Sequence, residues 1–410
     1  MSGLRGSRSR RHDRGDATSV HGLNAVPRHI GLNLIFLVPG ETGGMEIAAR
    51  ELIPALLAAA PAGMRFTAFV NREASAGELG NGAAGVEELR QLLPLVTVPV
   101  HARNRVQWVL GEQTLLPALA ARAKVDLVHS LASTAPLWGR FRRVVTVHDL
   151  IYARFPEAHA GLREKGMRVL VPAAARRSDR VIADSSSTRD DLIELLGLPP
   201  ARIDVVPLGL GAVRRAQPLG ERELRERLDL DARRIVLSLS AKRPHKNLLA
   251  LIGALALIEA AERPTLVLAG YPTAHEAQLR ERAHALGLDE HVRFVGWLSD
   301  AEVEGLWAIA DAFVFPSLYE GFGLPVLEAM ARGVPVACAD ASSLPEVAGD
   351  AALLFDPHDE PAIAQAISRL LGEPALAERL RAAGLQRAQR FTWERTARAT
   401  IDSYLRALAP

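Results

Sequence analysis

Two glutamates, Glu320 and Glu328, stand in the segment Phe315-Pro-Ser-Leu-Tyr-Glu-Gly-Phe-Gly-Leu-Pro-Val-Leu-Glu-Ala-Met-Ala-Arg-Gly333. An apolar strand pattern ends at Phe315 and a glycine-containing loop carries Glu320. Pro325 fits the first turn of a helix, where its missing N–H costs nothing. Loop and helix start therefore present free backbone N–H groups, suited to an anion or to sugar hydroxyls. Both carboxylates could accept from vicinal hydroxyls of one ligand. An isolated pair of this kind is more often a helix-dipole charge and a solvated loop charge.

A second cluster is Ser240-Ala-Lys242-Arg243-Pro-His245-Lys246-Asn247, after another apolar strand pattern. Lys246 falls beside a helix N-terminus, which ordinarily disfavours a cation. A phosphate between the two removes the conflict. Lys242, Arg243 and His245 add positive potential, although a solvated basic loop is the common reading of such a run. The chain has only four lysines, Lys124, Lys165, Lys242 and Lys246, so two of them in one loop are noticeable. A third candidate is His148, followed by Asp149, at the end of the strand pattern Arg143-Val-Val-Thr-Val. It can donate to a hydroxyl or phosphate, though a lone histidine is more often structural. A fourth is the glycine loop Pro39-Gly40-Glu-Thr-Gly43-Gly44, which lacks a dinucleotide fingerprint and a P-loop lysine. Asp229-Leu-Asp231 spells the D-x-D of metal-dependent sugar transfer but precedes a strand instead of following one. No metal site is predicted.

The elements that must position these residues alternate. Strand patterns lie at residues 29–38, 65–70, 95–100, 126–130, 143–148, 180–184 and 203–206, with helical patterns at 44–60, 106–123, 162–177 and 188–196. The run Pro207-Leu-Gly-Leu-Gly211 interrupts this, and the pattern restarts. Strands are then predicted at 235–240, 265–269, 292–295, 312–315, 334–337 and 352–355, separated by helices at 247–260, 274–286, 300–310, 325–332 and 360–371. Ser299 and Glu302 spell a capping box. Such alternation predicts two α/β units, each a parallel sheet wrapped by helices. Ligands of such sheets bind at the carboxyl ends of strands, where all four segments lie.

Composition bounds the rest. The chain has 410 residues, 49% of them apolar and 23% charged, and one cysteine, Cys338. That excludes an intramolecular disulfide and a Cys-clustered zinc site, and fits a reducing compartment. No apolar run is long enough for a membrane span. The net charge is +2, but residues 1–29 carry six arginines against Asp13 and Asp16. This basic arm reads as a disordered tail without a secretory h-region. The body is slightly acidic, so no nucleic-acid partner is predicted.

Taken together, these segments resemble the retaining, nucleotide-sugar-dependent glycosyltransferases of family 4, which have the GT-B fold of two Rossmann-like domains facing across a cleft. The E-x7-E pattern of Glu320 and Glu328 is the most specific match. Pro244-His-Lys-Asn247, Phe294-Val-Gly-Trp-Leu298, Val205-Val-Pro-Leu-Gly209 and Val147-His-Asp-Leu150 occur in the expected order. The resemblance implies an N-terminal acceptor-side domain over residues 29–208, a donor-binding domain over 209–390 and a helix at 391–410 crossing back, with 1–28 as the arm. It implies that Lys246 neutralises the donor diphosphate, Glu320 holds the donor sugar and Glu328 the ribose. Backbone groups of Gly321, Phe322, Gly323 and Leu324 would contact sugar and phosphates, Trp297 and Leu298 would lie near the base, and His148 would face the sugar. Gly43, Gly44 and Asp149 would line the diphosphate or acceptor loop. Many members carry an arginine where this chain has Ser240, and Lys242 and Arg243 are the candidates to replace it. The implied partners are a nucleotide-sugar donor, GDP-mannose slightly favoured, and a glycan or polyprenyl-linked acceptor in surface polysaccharide synthesis, with no cofactor. The implied location is cytoplasmic; the arm, which has no family counterpart, reads more readily as an uninvolved tail than as a membrane-surface anchor, although an anionic inner membrane face would attract it peripherally. A sugar-nucleotide epimerase, a phosphorylase and a non-catalytic sugar-nucleotide-binding protein of the same fold are the alternatives.

Overall fold

The structure, a computed structural model, describes residues 28–38, 44–76, 89–155, 162–211 and 216–410. The basic arm up to residue 27, and Gly43, lie outside the described residues. Strands β1 (Arg28–Leu34), β2 (Met64–Val70), β3 (Leu95–Thr97), β4 (Leu127–Ser130), β5 (Arg142–Val147), β6 (Arg180–Ala183) and β7 (Ile203–Val205) form a 7-stranded sheet in the order β3-β2-β1-β4-β5-β6-β7. Strands β8 (Ile235–Leu239), β9 (Thr265–Ala269), β10 (Val292–Val295), β11 (Ala312–Phe315), β12 (Val336–Ala339) and β13 (Ala352–Phe355) form a 6-stranded sheet in the order β10-β9-β8-β11-β12-β13. The pairings between these strands are parallel, with Ile30 opposite Phe66 and Leu127, and Val236 opposite Leu266 and Ala312. Both faces of each sheet are covered by helices, so the central strands are apolar almost throughout; Ile235, Val236 and Leu237 are all fully buried. The chain direction across each sheet reverses between β1 and β4, and again between β8 and β11.

The predicted elements form with small shifts that have local causes. β12 begins at Val336 instead of Val334 because Pro335 has no N–H for a ladder and gives its carbonyl to Phe313. The helix after the Lys246 turn begins at Leu248, because Asn247 takes a left-handed φ of 55°. The predicted continuous helix at 106–123 is a helix at Arg105–Leu110, a π-helical turn at Gly111–Leu115 and a second helix at Leu116–Arg122. Gly111 packs against Val100, where an added Cβ would meet Cγ1 at 2.6 Å. The capping box at Ser299 is present in both directions.

The chain passes between the units twice, side by side. Leu210 donates to the Phe391 carbonyl at 3.0 Å, and a Cβ on Gly209 would lie 2.3 Å from the Trp393 nitrogen. Glycine is required there by close approach. The terminal helix Trp393–Leu408 then packs on the Gly44–Ala59 helix and on β5 and β6 of the first unit. Its fully buried Tyr404 hydroxyl meets His129 Nδ1 at 2.7 Å.

Candidate functional site

Lys246 closes the turn after β8 and Glu320 lies in the loop after β11. These neighbouring strands are where the second sheet reverses its winding, the point at which open α/β sheets bind ligands. Lys246 Nζ and Glu320 Oε1 are 2.6 Å apart, both side chains about one-seventh exposed, and Nζ stands 5.4 Å from the Phe315 ring centre. The structure thus joins the two motifs into one ion pair. Ser342 holds the Glu320 backbone, donating to its carbonyl at 2.7 Å and accepting from its N–H at 3.3 Å.

The helix Leu324–Ala331 starts immediately beyond Glu320, with Gly323 at φ 125°. Only glycine adopts that conformation readily. The N–H groups of Phe322, Gly323 and Leu324 meet no acceptor among the described residues. Phe322 contributes backbone alone, because its ring is buried edge-on against Phe391 at 5.8 Å. Glu328 lies half-buried in the second turn of this helix. Lys246 thus meets the loop that leads into unpaired amides and a helix N-terminus, groups whose electrostatics suit an anion.

The other predicted residues divide. Lys242 is corrected: its ammonium is fully buried and donates to the carbonyls of Gly270 at 2.7 Å and Val295 at 2.8 Å, with Glu276 at 3.4 Å. It ties the ends of β9 and β10 together and has no donor left for a ligand. Arg243 is exposed, and its guanidinium has no partner among the described residues, so of the two it is the one able to meet a phosphate. Trp297 follows β10 and is 78% exposed, while Leu298 is half-buried. Sequence reasoning missed Tyr271, 57% exposed after β9 and beside Trp297's strand. Its signal was an aromatic directly after a strand-ending glycine.

His148 does reach the interface, but its ring is committed within its own unit. Nε2 donates to the Leu131 carbonyl at 2.8 Å and Nδ1 to Asp184 Oδ2 at 2.7 Å. Burial pushes the imidazole down, yet the Asp184 carboxylate and the Leu131 carbonyl overcome this and raise it to about 9. The expectation that the ring faces the donor sugar is corrected: both nitrogens are occupied, and it is the backbone of His148 that meets the second unit. A Cβ on Gly321 would lie 2.0 Å from the His148 carbonyl oxygen, so glycine is there for domain contact. Asp149 lies against Gly321 at the interface, and its Oδ1 accepts from the N–H of Ile151 at 3.0 Å. Gly44 opens a helix, and a Cβ there would meet nothing within 4 Å. Asp231 accepts from Thr265 and the Arg233 N–H at the opposite end of the sheet, and among the described residues no cluster of acidic, histidine or cysteine side chains could hold a metal ion.

Two parallel sheets of Rossmann-like strand order, facing each other through their strand ends, define the fold class, and the comparisons give the family. Residues 42–214 match Glycosyltransferase Family 4 and residues 221–387 match the group 1 glycosyl transferases. O-antigen chain mannosyltransferase B of Escherichia coli is 33% identical over 267 residues, covering 64% of this chain and 70% of that protein. D-inositol 3-phosphate glycosyltransferase of Salinispora tropica is 31% identical over 435 residues, covering 94% and 86%. The solved Anabaena protein HepE, in complex with UDP and glucose, superposes with a TM-score of 0.70 at 22% identity, covering 92% of this chain and 99% of that one. The chain belongs to this glycosyltransferase family and has its GT-B fold.

Proposed function

We propose that the protein moves a hexose from a nucleotide sugar, GDP-mannose favoured, to a glycan or polyprenyl-linked acceptor of a surface polysaccharide, with retention of anomeric configuration and without a resident metal. The observation that carries this is the Lys246 ammonium paired with Glu320 in the loop that leads into the open amides of Phe322, Gly323 and Leu324. Breaking the anomeric C–O bond builds negative charge on the leaving diphosphate. A cation and fixed N–H dipoles meet that charge without reorganising at the moment of reaction. When the diphosphate enters, Lys246 turns from Glu320 to the phosphate, and the freed carboxylate accepts from the sugar hydroxyls. Exposed Tyr271 and Trp297 offer apolar surface for the base. Same-face attack, with a donor phosphate oxygen taking the acceptor proton, needs no protein base.

Similarity to the mannosyltransferase supports the sugar and the polysaccharide acceptor. The basic arm supports salt-sensitive attachment at the cytoplasmic membrane face. No helix among the described residues is long and apolar enough to cross a membrane. The test is a thermal-shift screen of nucleotide sugars, followed by NMR of the product's anomeric configuration in EDTA. Stabilisation by GDP-mannose and an α-linked product from the α-linked donor are expected. An inverted product, or activity that only magnesium restores, contradicts the proposal.

A further inference from the structure

Interdomain hydrogen bonds converge behind Glu320, and none of them is explained by donor binding. The Tyr319 hydroxyl, next in sequence to Glu320, donates to Asp191 Oδ2 at 2.7 Å and accepts from the Leu150 N–H at 3.0 Å. Both partners belong to the first unit. Asp191 is itself held by Arg154 through Oδ1, at 2.8 Å from Nε. From the other side, the Glu346 carboxylate accepts from the N–H groups of Ser186 at 3.1 Å and Ser187 at 3.3 Å. These are the open amides at the start of the first-unit helix Ser186–Leu196. A carboxylate there complements the helix dipole. Between the two points, Thr188 Oγ1 lies 3.3 Å from the His148 carbonyl and 3.2 Å from that of Gly321. Ser187 Oγ lies 3.2 Å from Ser342 Oγ, the same hydroxyl that grips the Glu320 backbone, and Ser342 takes a left-handed φ of 53° to do so. A non-glycine residue pays for that conformation, so the surroundings must hold it.

We infer that Tyr319 and Glu346 are positioning residues: a two-point latch that sets domain closure and, through Ser342, fixes Glu320 against the first unit. The inference rests on the transfer reading for its effect on turnover, but not for its effect on shape. On that reading the diphosphate meets Lys246 and the amides of Phe322 to Leu324, all in the second unit, so opening the latch leaves nucleoside-diphosphate binding intact while misaligning sugar and acceptor. The burial of Tyr319, reinforced by Asp191, keeps its phenol protonated at every working pH, as the donor role requires.

The test compares the full chain with Tyr319→Phe, Glu346→Gln, Glu346→Ala and Tyr319→Phe/Glu346→Ala. Small-angle X-ray scattering reads closure, calorimetry reads binding of GDP, and release of GDP from GDP-mannose reads turnover. In the double variant a larger radius of gyration and at least a tenfold lower kcat are expected, with the Kd for GDP within twofold of wild type. Glu346→Gln keeps one acceptor oxygen and should fall between wild type and Glu346→Ala. An unchanged radius, an unchanged kcat, or a GDP affinity lost in step with kcat would each overturn the latch. If the wild type releases no GDP, the transfer reading fails, and the scattering comparison alone upholds or overturns the latch.

Discussion

The two units share a strand order and differ in what they leave unpaired. In the second, the switch point between β8 and β11 ends in open amides, and its charges, Lys246 and Glu320, are paired with each other at the surface of the site. In the first, the described side chains at the equivalent point between β1 and β4 are paired within the unit. Asn33 and Thr134 both donate to Glu112 Oε1, at 2.8 and 3.1 Å, and Asn33 also reaches Ser130. His148 is bound to Asp184 and Leu131. One Rossmann-like sheet is therefore built to exchange partners with a ligand, and the other to hold a wall in place. The fold does not decide this; the strand-end side chains do.

The largest effect should come from breaking the wall. Asp184→Ala leaves the His148 imidazolium buried and uncompensated, which costs about 3–5 kcal/mol. Calorimetric melting at pH 7 should show it. Because the folded His148 pKa is raised to about 9 from 6.5, the pair's stabilisation is complete below 6.5 and fades as pH rises through 9. The gap between wild type and variant should therefore narrow towards pH 10. A constant gap would mean that the ring is neutral and the wall is held otherwise.

On the open side, Lys246→Ala should cut kcat by roughly 10²–10³, the loss typical of removing one electrostatic stabiliser. Steady-state kinetics should also show a higher donor KM, since Lys246 meets charge in the ground state too. A change in KM alone would assign Lys246 to binding only.

A smaller effect separates the two switch points by pH. Burial raises the Glu112 carboxyl to about 7, against hydrogen bonds from Asn33, Thr134 and Gln113 that pull it down. The folded state thus favours the protonated form, so this contribution is present below about 4.5 and lost as pH rises through 7. Glu112→Gln should be more stable than wild type at pH 8.5 by about 1–3 kcal/mol and similar near pH 4.5. Equal stability of the two at both pH values would show that folding does not shift the Glu112 carboxyl and that its charge is held there without penalty.

How much of this was legible in the sequence follows the same division. That Lys246 and Glu320 stand at strand ends, and that Phe322 to Leu324 open a helix, could be read because position follows from local context: a strand end, a glycine loop and a proline at a helix start; their roles came from the resemblance. The assignments that failed depend on tertiary partners. Lys242 is adjacent in sequence to Arg243, yet one is buried on strand-end carbonyls and the other exposed. His148 reads as a cleft histidine until Asp184, on the next strand, takes its ring. Glu346 lies on the short helix Leu344–Ala348, too brief to carry a periodic pattern, and its function exists only across the interface. The π-turn at Glu112 hides in an apolar periodicity that a regular helix would also satisfy.

The central claim is that the second unit alone holds the donor, with Lys246 on the diphosphate and Glu320 on the sugar. Titration calorimetry of wild type, Lys246→Ala and Glu320→Gln with GDP and with GDP-mannose tests it most directly. Glu320 holds the Lys246 ammonium at 2.6 Å and so competes with a phosphate for it. Glu320→Gln should therefore bind GDP at least as tightly as wild type. It should bind GDP-mannose more weakly, by about the 1.5–3 kcal/mol of a charge-assisted hydrogen bond. Lys246→Ala should lose affinity for both ligands. If Glu320→Gln weakens both equally, or Lys246→Ala leaves GDP binding untouched, the two residues do not divide the donor between them and the account is wrong.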